Sequence, residues 1–188
     1  FREDEKPRKA GKRTAPCPAQ DDRPLEERVH TVPKKPLGKL TKIYKYEDEA
    51  GKTLYEVCRY ELATDDGIEK TFLQRVYAPE HPKAKKDGYV YQTRELRHPL
   101  YRLPEVMAAM KAGAPVYVVE GEKDVETLRE LGFTATTNPG GASKDNAAIK
   151  WLPEHTESLR GADVVILPDV DEVGMSDRQR VAAQLAPV

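Results

Sequence analysis

Apolar positions are nearly absent from the first part of the chain and then arrive in short bursts. Residues 1–38 scatter Pro7, Pro16, Pro18, Pro24, Pro33 and Pro36 among Lys, Arg, Asp and Glu with no apolar period, the composition of a flexible charged linker. From Lys39 the pattern changes. KLTKIYKYEDEAGKTLYEVCRYE holds two runs rich in Tyr, Ile and Val, interrupted by Asp48, Glu49, Ala50 and Gly51, and predicts a β-hairpin. KTFLQRVYA predicts a third strand. YVYQT, beyond the polar loop PEHPKAKKDG at 79–88, predicts a short fourth. Residues 39–93 are therefore expected to form a small antiparallel β-rich subdomain.

From residue 94 onward the bursts alternate with helical patterns. Pro104 fits a helix N1 position, Val106, Met107 and Met110 supply an apolar side, and Gly113 ends it. VYVV at 116–119 is the short continuous apolar run of a buried parallel strand. A helix from about Lys123 to Leu131 follows, with Val125, Leu128 and Leu131 on one side and Gly132 as its stop. FTATT predicts a second strand, NPGGAS a turn leading to an irregular helix toward Trp151 and Leu152, and VVILP at 164–168 a third strand. A final helix carries Val181, Ala182 and Leu185. Successive βα units imply an α/β fold: a parallel sheet with flanking helices and right-handed crossovers over residues 94–188.

Composition narrows the function classes. Of 188 residues, 34% are charged, yet the formal net charge is −1, so any basic surface for a polyanion has to be local. Cys17 and Cys58 are too far apart for a C-x-x-C zinc motif or a disulfide framework, which points to a reducing cytoplasm. No apolar run approaches the length of a membrane span. The chain opens at Phe1, and a piece of a longer protein is expected.

Two of the three expected parallel strands end in acid. VYVV runs into Glu120, Gly121, Glu122, Lys123 and Asp124, and VVILP runs into Asp169 and Asp171. In open α/β sheets ligands bind outside the carboxyl ends of the strands. If the two strands are neighbours, Glu120, Asp169 and Asp171 converge. Carboxylates that close cannot all stay ionised unless one pKa rises or a divalent cation neutralises them. Hard oxygen ligands in an accessible cleft suit Mg²⁺ or Mn²⁺, the usual equipment of phosphoryl transfer. The plainer reading gives Asp124 and Asp171 the role of first-turn acids that a helix dipole favours.

The order of these pieces, Glu120-Gly121, then Asp124 and Leu128, then the glycines of NPGGA, then Asp169-x-Asp171 followed by Gly174, resembles a Toprim domain. That catalytic module occurs in bacterial and phage primases, type IA and type II topoisomerases, some nucleases and certain recombination proteins. EGEKD, NPGGAS and PDVDEVG are most similar to the primase branch, in particular to phage-type and plasmid-type primase-helicases. The resemblance implies that Glu120 is a general acid or base, or a metal-linked activator of the attacking 3′-hydroxyl. It implies that Asp169 and Asp171 hold Mg²⁺, with Asp124 as a further ligand or a helper behind it, and with a weaker case for Glu122. Gly121 would let backbone approach metal or phosphate, Gly140 and Gly141 would let the loop after the second strand turn beside the site, and Lys123 and Lys144 would contact nucleotide phosphates. A further parallel strand is expected after the last helix, so the module is expected to be cut short at its C-terminal end. Neither cysteine can stand in for the zinc domain that precedes the core in many primases.

The β-rich subdomain and its follow-on carry Lys42, Lys45, Arg59, Lys70, Arg75, Lys83, Lys85, Lys86, Arg94, Arg97 and Arg102 among tyrosines, a mixture that nucleic-acid surfaces use for phosphate attraction and base stacking. In primases a basic subdomain before the Toprim fold guides template. The competing reading makes Tyr44, Tyr46, Tyr55 and Tyr60 the filling of a small β core. The expected function is primase-type, Mg-dependent synthesis of RNA primers from ribonucleoside triphosphates on a single-stranded DNA template in replication, with a replicative helicase as a partner in cis or in trans. The alternatives are a Toprim-type nuclease, in which the acids activate water, and a non-catalytic DNA-binding scaffold. A topoisomerase fits less well because nothing marks a nucleophilic tyrosine. A haloacid-type phosphatase would place D-x-D-x-T at the first strand, whereas this D-x-D is late and lacks that Thr.

Overall fold

In the computed structural model, which describes residues 37–91, 93, 96–140, 151–169 and 172–186, a four-stranded antiparallel sheet is followed in the chain by a separate three-stranded parallel sheet. Apart from Leu37 and Gly38, the linker expected over residues 1–38 lies outside the described residues.

β1 (Lys39–Glu47) and β2 (Thr53–Thr64) form the expected hairpin. Asp48 closes its turn: Oδ1 accepts the backbone N–H groups of Ala50 at 3.0 Å and Lys52 at 2.9 Å, while Gly51 takes a φ of 78°. Asp65 and Asp66 make the next turn, with Thr64 paired to Gly67, so β3 (Gly67–Tyr77) starts at Gly67 and not at Lys70. Its first residues, GIEK, are exposed, which is why apolar content does not mark them. β4 is confined to Tyr89–Val90, paired with Tyr77 and Val76. The sheet order is β1-β2-β3-β4.

A register shift between Leu40 and Lys42 lets Leu40 face Tyr60 and Ile43 face Cys58, so both join Leu37 and Leu73 on one face of the sheet. The other face presents Tyr44, Tyr46, Tyr55 and Val57. These pack against Tyr101, Val119, Val125 and Ala135 from the second half of the chain. The antiparallel sheet of residues 39–90 therefore shares a core with the parallel α/β half.

In the second half, α1 (Leu103–Lys111) begins after Arg102, which sits in the left-handed region at φ 60° and ψ 33°. Such a backbone is costly for a residue with a β-carbon. The Arg102 guanidinium bonds Glu126 at 2.8 Å and Glu105 at 3.2 Å and offsets that cost. β5 (Val116–Val118), α2 (Glu122–Glu130), β6 (Ala135–Thr136), α3 (Pro153–Ser158), β7 (Val164–Ile166) and α4 (Glu172–Leu185) complete the order. The sheet order is β6-β5-β7 with both pairings parallel. Val116 and Val118 point into a core with Leu103, Val106, Trp151, Leu159 and Val181, whereas Tyr117 and Val119 belong to the core shared with the antiparallel sheet. A strand buried on both faces must be apolar at every position, which accounts for VYVV. Among the described residues β7 is one of the two edge strands of this sheet, half-buried throughout, beside a groove of about 300 Å³ lined by Leu159, Ala162, Val164, Ile166, Ala182 and Leu185.

The short helix α3 has no counterpart in the sequence expectation, because PEHTES has no apolar stripe. His155 holds it: its Nδ1 accepts the N–H of Leu152 at the helix start. The irregular helix expected before Trp151 falls on residues 141–150, outside the described residues.

Candidate functional site

β5 and β7 are neighbours, in register through Val116↔Val164, Tyr117↔Val165 and Val118↔Ile166. The N–H of Leu167 continues the ladder to the carbonyl of Val118 at 2.9 Å. Both strands run the same way, so Glu120 and Asp169 leave the sheet at the same carboxyl edge. Glu120 is half-buried and Asp169 exposed. Asp171 lies outside the described residues, as do Gly141, Lys144 and Arg94.

The third strand contributes residues that sequence reasoning passed over. Thr137 and Asn138 follow β6 at the same edge and are buried. The Thr137 hydroxyl donates to the backbone carbonyl of Glu120 at 2.9 Å, and the Val119 N–H donates to the carbonyl of Thr136 at 3.0 Å. The signal was the run of polar residues in TTN, which a buried strand tolerates only where its end carries hydrogen bonds or a site. Beyond them Gly140 turns the chain at φ 80°.

α2 starts directly at the site. Gly121 is its N-cap in an extended conformation, φ −139° and ψ 161°, which any residue can adopt. A side chain there would meet only Asp124 Oδ2, at an ordinary 3.4 Å, so the protein itself does not demand a glycine. Lys123 and Asp124 are exposed on the first turn. Glu122 is not: it is 8% exposed and accepts the Tyr46 hydroxyl at 2.8 Å. Burial pushes its carboxyl pKa up, and burial beside Glu122 drives the Tyr46 hydroxyl well above the ordinary tyrosine value. The acid with the weaker case in the sequence is thus the one most enclosed.

Among the described residues no group of three His, Cys, Asp or Glu side chains stands close enough to hold a metal ion. Glu120 and Asp169, which leave the sheet at this edge, carry hard carboxylate oxygens, the donor type that Mg²⁺ and Mn²⁺ take, but with Asp124 they do not come together as a ligand set.

The expected basic face needs correction. Tyr44, Tyr46, Tyr55 and Tyr60 are at most 2% exposed, so they fill the core and cannot stack on bases. Arg75 is 1% exposed, paired with Glu56 at 2.8 Å and lying 3.8 Å over the Tyr89 ring, which removes it from any surface a polyanion reaches. Arg59 pairs with Glu61, Arg97 with Glu49 and Glu154, and Arg102 with Glu126 and Glu105, so their charge is largely neutralised in place. Lys42 is exposed and Lys45 half-buried. Phe72, opposite Arg59 in the β2–β3 register, is 50% exposed, and Ile68 on the same strand face is 64% exposed, with exposed Lys70 between them. This exposed aromatic and cationic surface keeps Lys42 and Lys70 of the expected set, with Phe72 in place of the buried tyrosines.

Comparisons with protein-family models, with curated proteins and with solved structures gave no match.

Proposed function

We propose that the protein is a primase-type nucleotidyltransferase with a Toprim-like catalytic unit, joining ribonucleotides on a single-stranded DNA template. The observation that supports this reading most is the register of β5 against β7, which brings Glu120 and Asp169 to one carboxyl edge. EGEKD, NPGGAS and PDVDEVG, in that order along the chain, supply the resemblance to primases. In this reading Glu120, Asp169 and Asp171 hold Mg²⁺, which when bound neutralises charge on the triphosphate and the leaving pyrophosphate. Glu120 takes the proton of the attacking 3′-hydroxyl, and Thr137 holds the backbone that presents it. Lys42, Lys70 and Phe72 form the surface for template, the lysines by charge and the ring by stacking.

The test supplies single-stranded template, labelled ribonucleotides and Mg²⁺. Label enters short oligomers with the natural protein and not with Glu120→Gln, whose amide keeps size but loses charge and proton transfer. Degradation of DNA without synthesis means a nuclease. Template binding with neither activity means a scaffold.

A further inference from the structure

The turn that carries Glu120 lacks a cap of its own. Gly121 stands at the N-cap of α2, and no side-chain cap bond closes the helix start. Two hydroxyls from distant parts of the chain hold the turn instead. On the strand side, Thr137 Oγ1 donates to the Glu120 carbonyl at 2.9 Å. On the helix side, Tyr46 Oη reaches across from β1 and donates to Glu122 Oε1 at 2.8 Å, between residues 76 apart in the chain.

Tyr46 is well placed to act as a fixed post. It is 0% exposed, stacked on Tyr55 with centroids 4.8 Å apart and planes 8° from parallel, and tilted against Tyr101 at 5.3 Å. A hydroxyl on a ring held that way leaves Glu122 one position. Glu122 connects to Glu120 through Gly121 alone, the residue type with the most backbone freedom. Cutting the Tyr46 bond would let that freedom reach Glu120.

We infer that Tyr46 is a positioning residue: through its bond to Glu122 it holds Glu120 in place at the carboxyl edge. The catalytic consequence rests on the primase reading; the positioning itself does not. The antiparallel sheet is then part of the catalytic apparatus as well as a neighbour of it.

Tyr46→Phe keeps the ring and the stack and removes only Oη. By hydrogen exchange on the full chain, the amides of Asp124 and Val125, which both donate to the Gly121 carbonyl at 3.1 Å, exchange about 10-fold faster in this variant, measured relative to the slow amides of β2. In the primer-synthesis assay kcat falls by about 10-fold with the nucleotide KM unchanged. Glu122→Gln, whose amide oxygen still accepts the Tyr46 hydroxyl, keeps the slow exchange. Equal acceleration at all amides, or none at Asp124 and Val125, overturns the inference whatever the activity, and so does an unchanged kcat in an active protein. Local acceleration in a protein that makes no primers leaves the positioning standing and removes the primase reading.

Discussion

His155 Nε2 stands 2.7 Å from the backbone carbonyl oxygen of His98, 57 residues earlier in the chain, while Nδ1 accepts the N–H of Leu152 at 3.0 Å. An acceptor at Nδ1 puts the single proton of the neutral ring on Nε2, which donates to His98. Protonating Nδ1 would break the Leu152 bond and place a charge where the side chain is 0% exposed. Burial accordingly lowers the His155 pKa below its ordinary 6.5. The unfolded chain takes up this proton at higher pH than the folded one. The stability involved is therefore fully present above 6.5 and is lost as pH falls through the lowered folded value. Urea unfolding is expected to show a fall of up to about 1.4 kcal/mol per pH unit below neutrality, and His155→Gln is expected to flatten that slope.

Arg75 holds the antiparallel sheet from inside. Its guanidinium is buried, pairs with Glu56 and covers Tyr89, so Arg75→Ala leaves a half-buried carboxylate without its partner and empties the space over the ring. The expected loss is about 3–5 kcal/mol in unfolding free energy. Arg75→Lys restores charge but not the flat contact with the ring, and recovers only part of it.

At the solvent-exposed lysines and Phe72 the expectation reverses. Lys42→Ala with Lys70→Ala is expected to leave stability nearly unchanged and to lower the slope of log affinity for single-stranded DNA against log salt by about 1.4, two phosphate contacts at ~0.7 each. Phe72→Ala is expected to cost about 1–3 kcal/mol of binding with the slope unaltered, because stacking releases no counterions. Fluorescence anisotropy with labelled oligonucleotide across a salt series separates the two.

The strands and the acid edge were legible because their determinants are local. VYVV and VVILP are apolar runs that end in carboxylates, and a parallel sheet with short crossovers places such ends together. Strand limits drifted where hydrogen bonding outlasts apolar content or stops short of it, as at Gly67–Lys70 and in YVYQT. What the sequence hid depends on partners far along the chain. Nothing near Glu122 announces Tyr46, and nothing near Arg75 in sequence announces Glu56 or Tyr89. A lysine- and tyrosine-rich strand reads the same whether its rings face solvent or a second sheet. Only the packing of Tyr44, Tyr46 and Tyr55 against Tyr101 and Val119 decides between them.

That packing also makes covalent continuity dispensable at one place. The loop between β3 and β4 is largely exposed and carries Lys83, Lys85 and Lys86, so trypsin can cut there without touching either sheet. β4 stays paired with β3, and the tyrosine face of the first fragment stays buried against Val119, Val125 and Ala135 of the second. The nicked protein is expected to elute from a gel-filtration column as one species and to fall into two pieces only in denaturant. Residues 94–188 expressed alone, with that apolar face bare, are expected to aggregate until the missing fragment is supplied in trans.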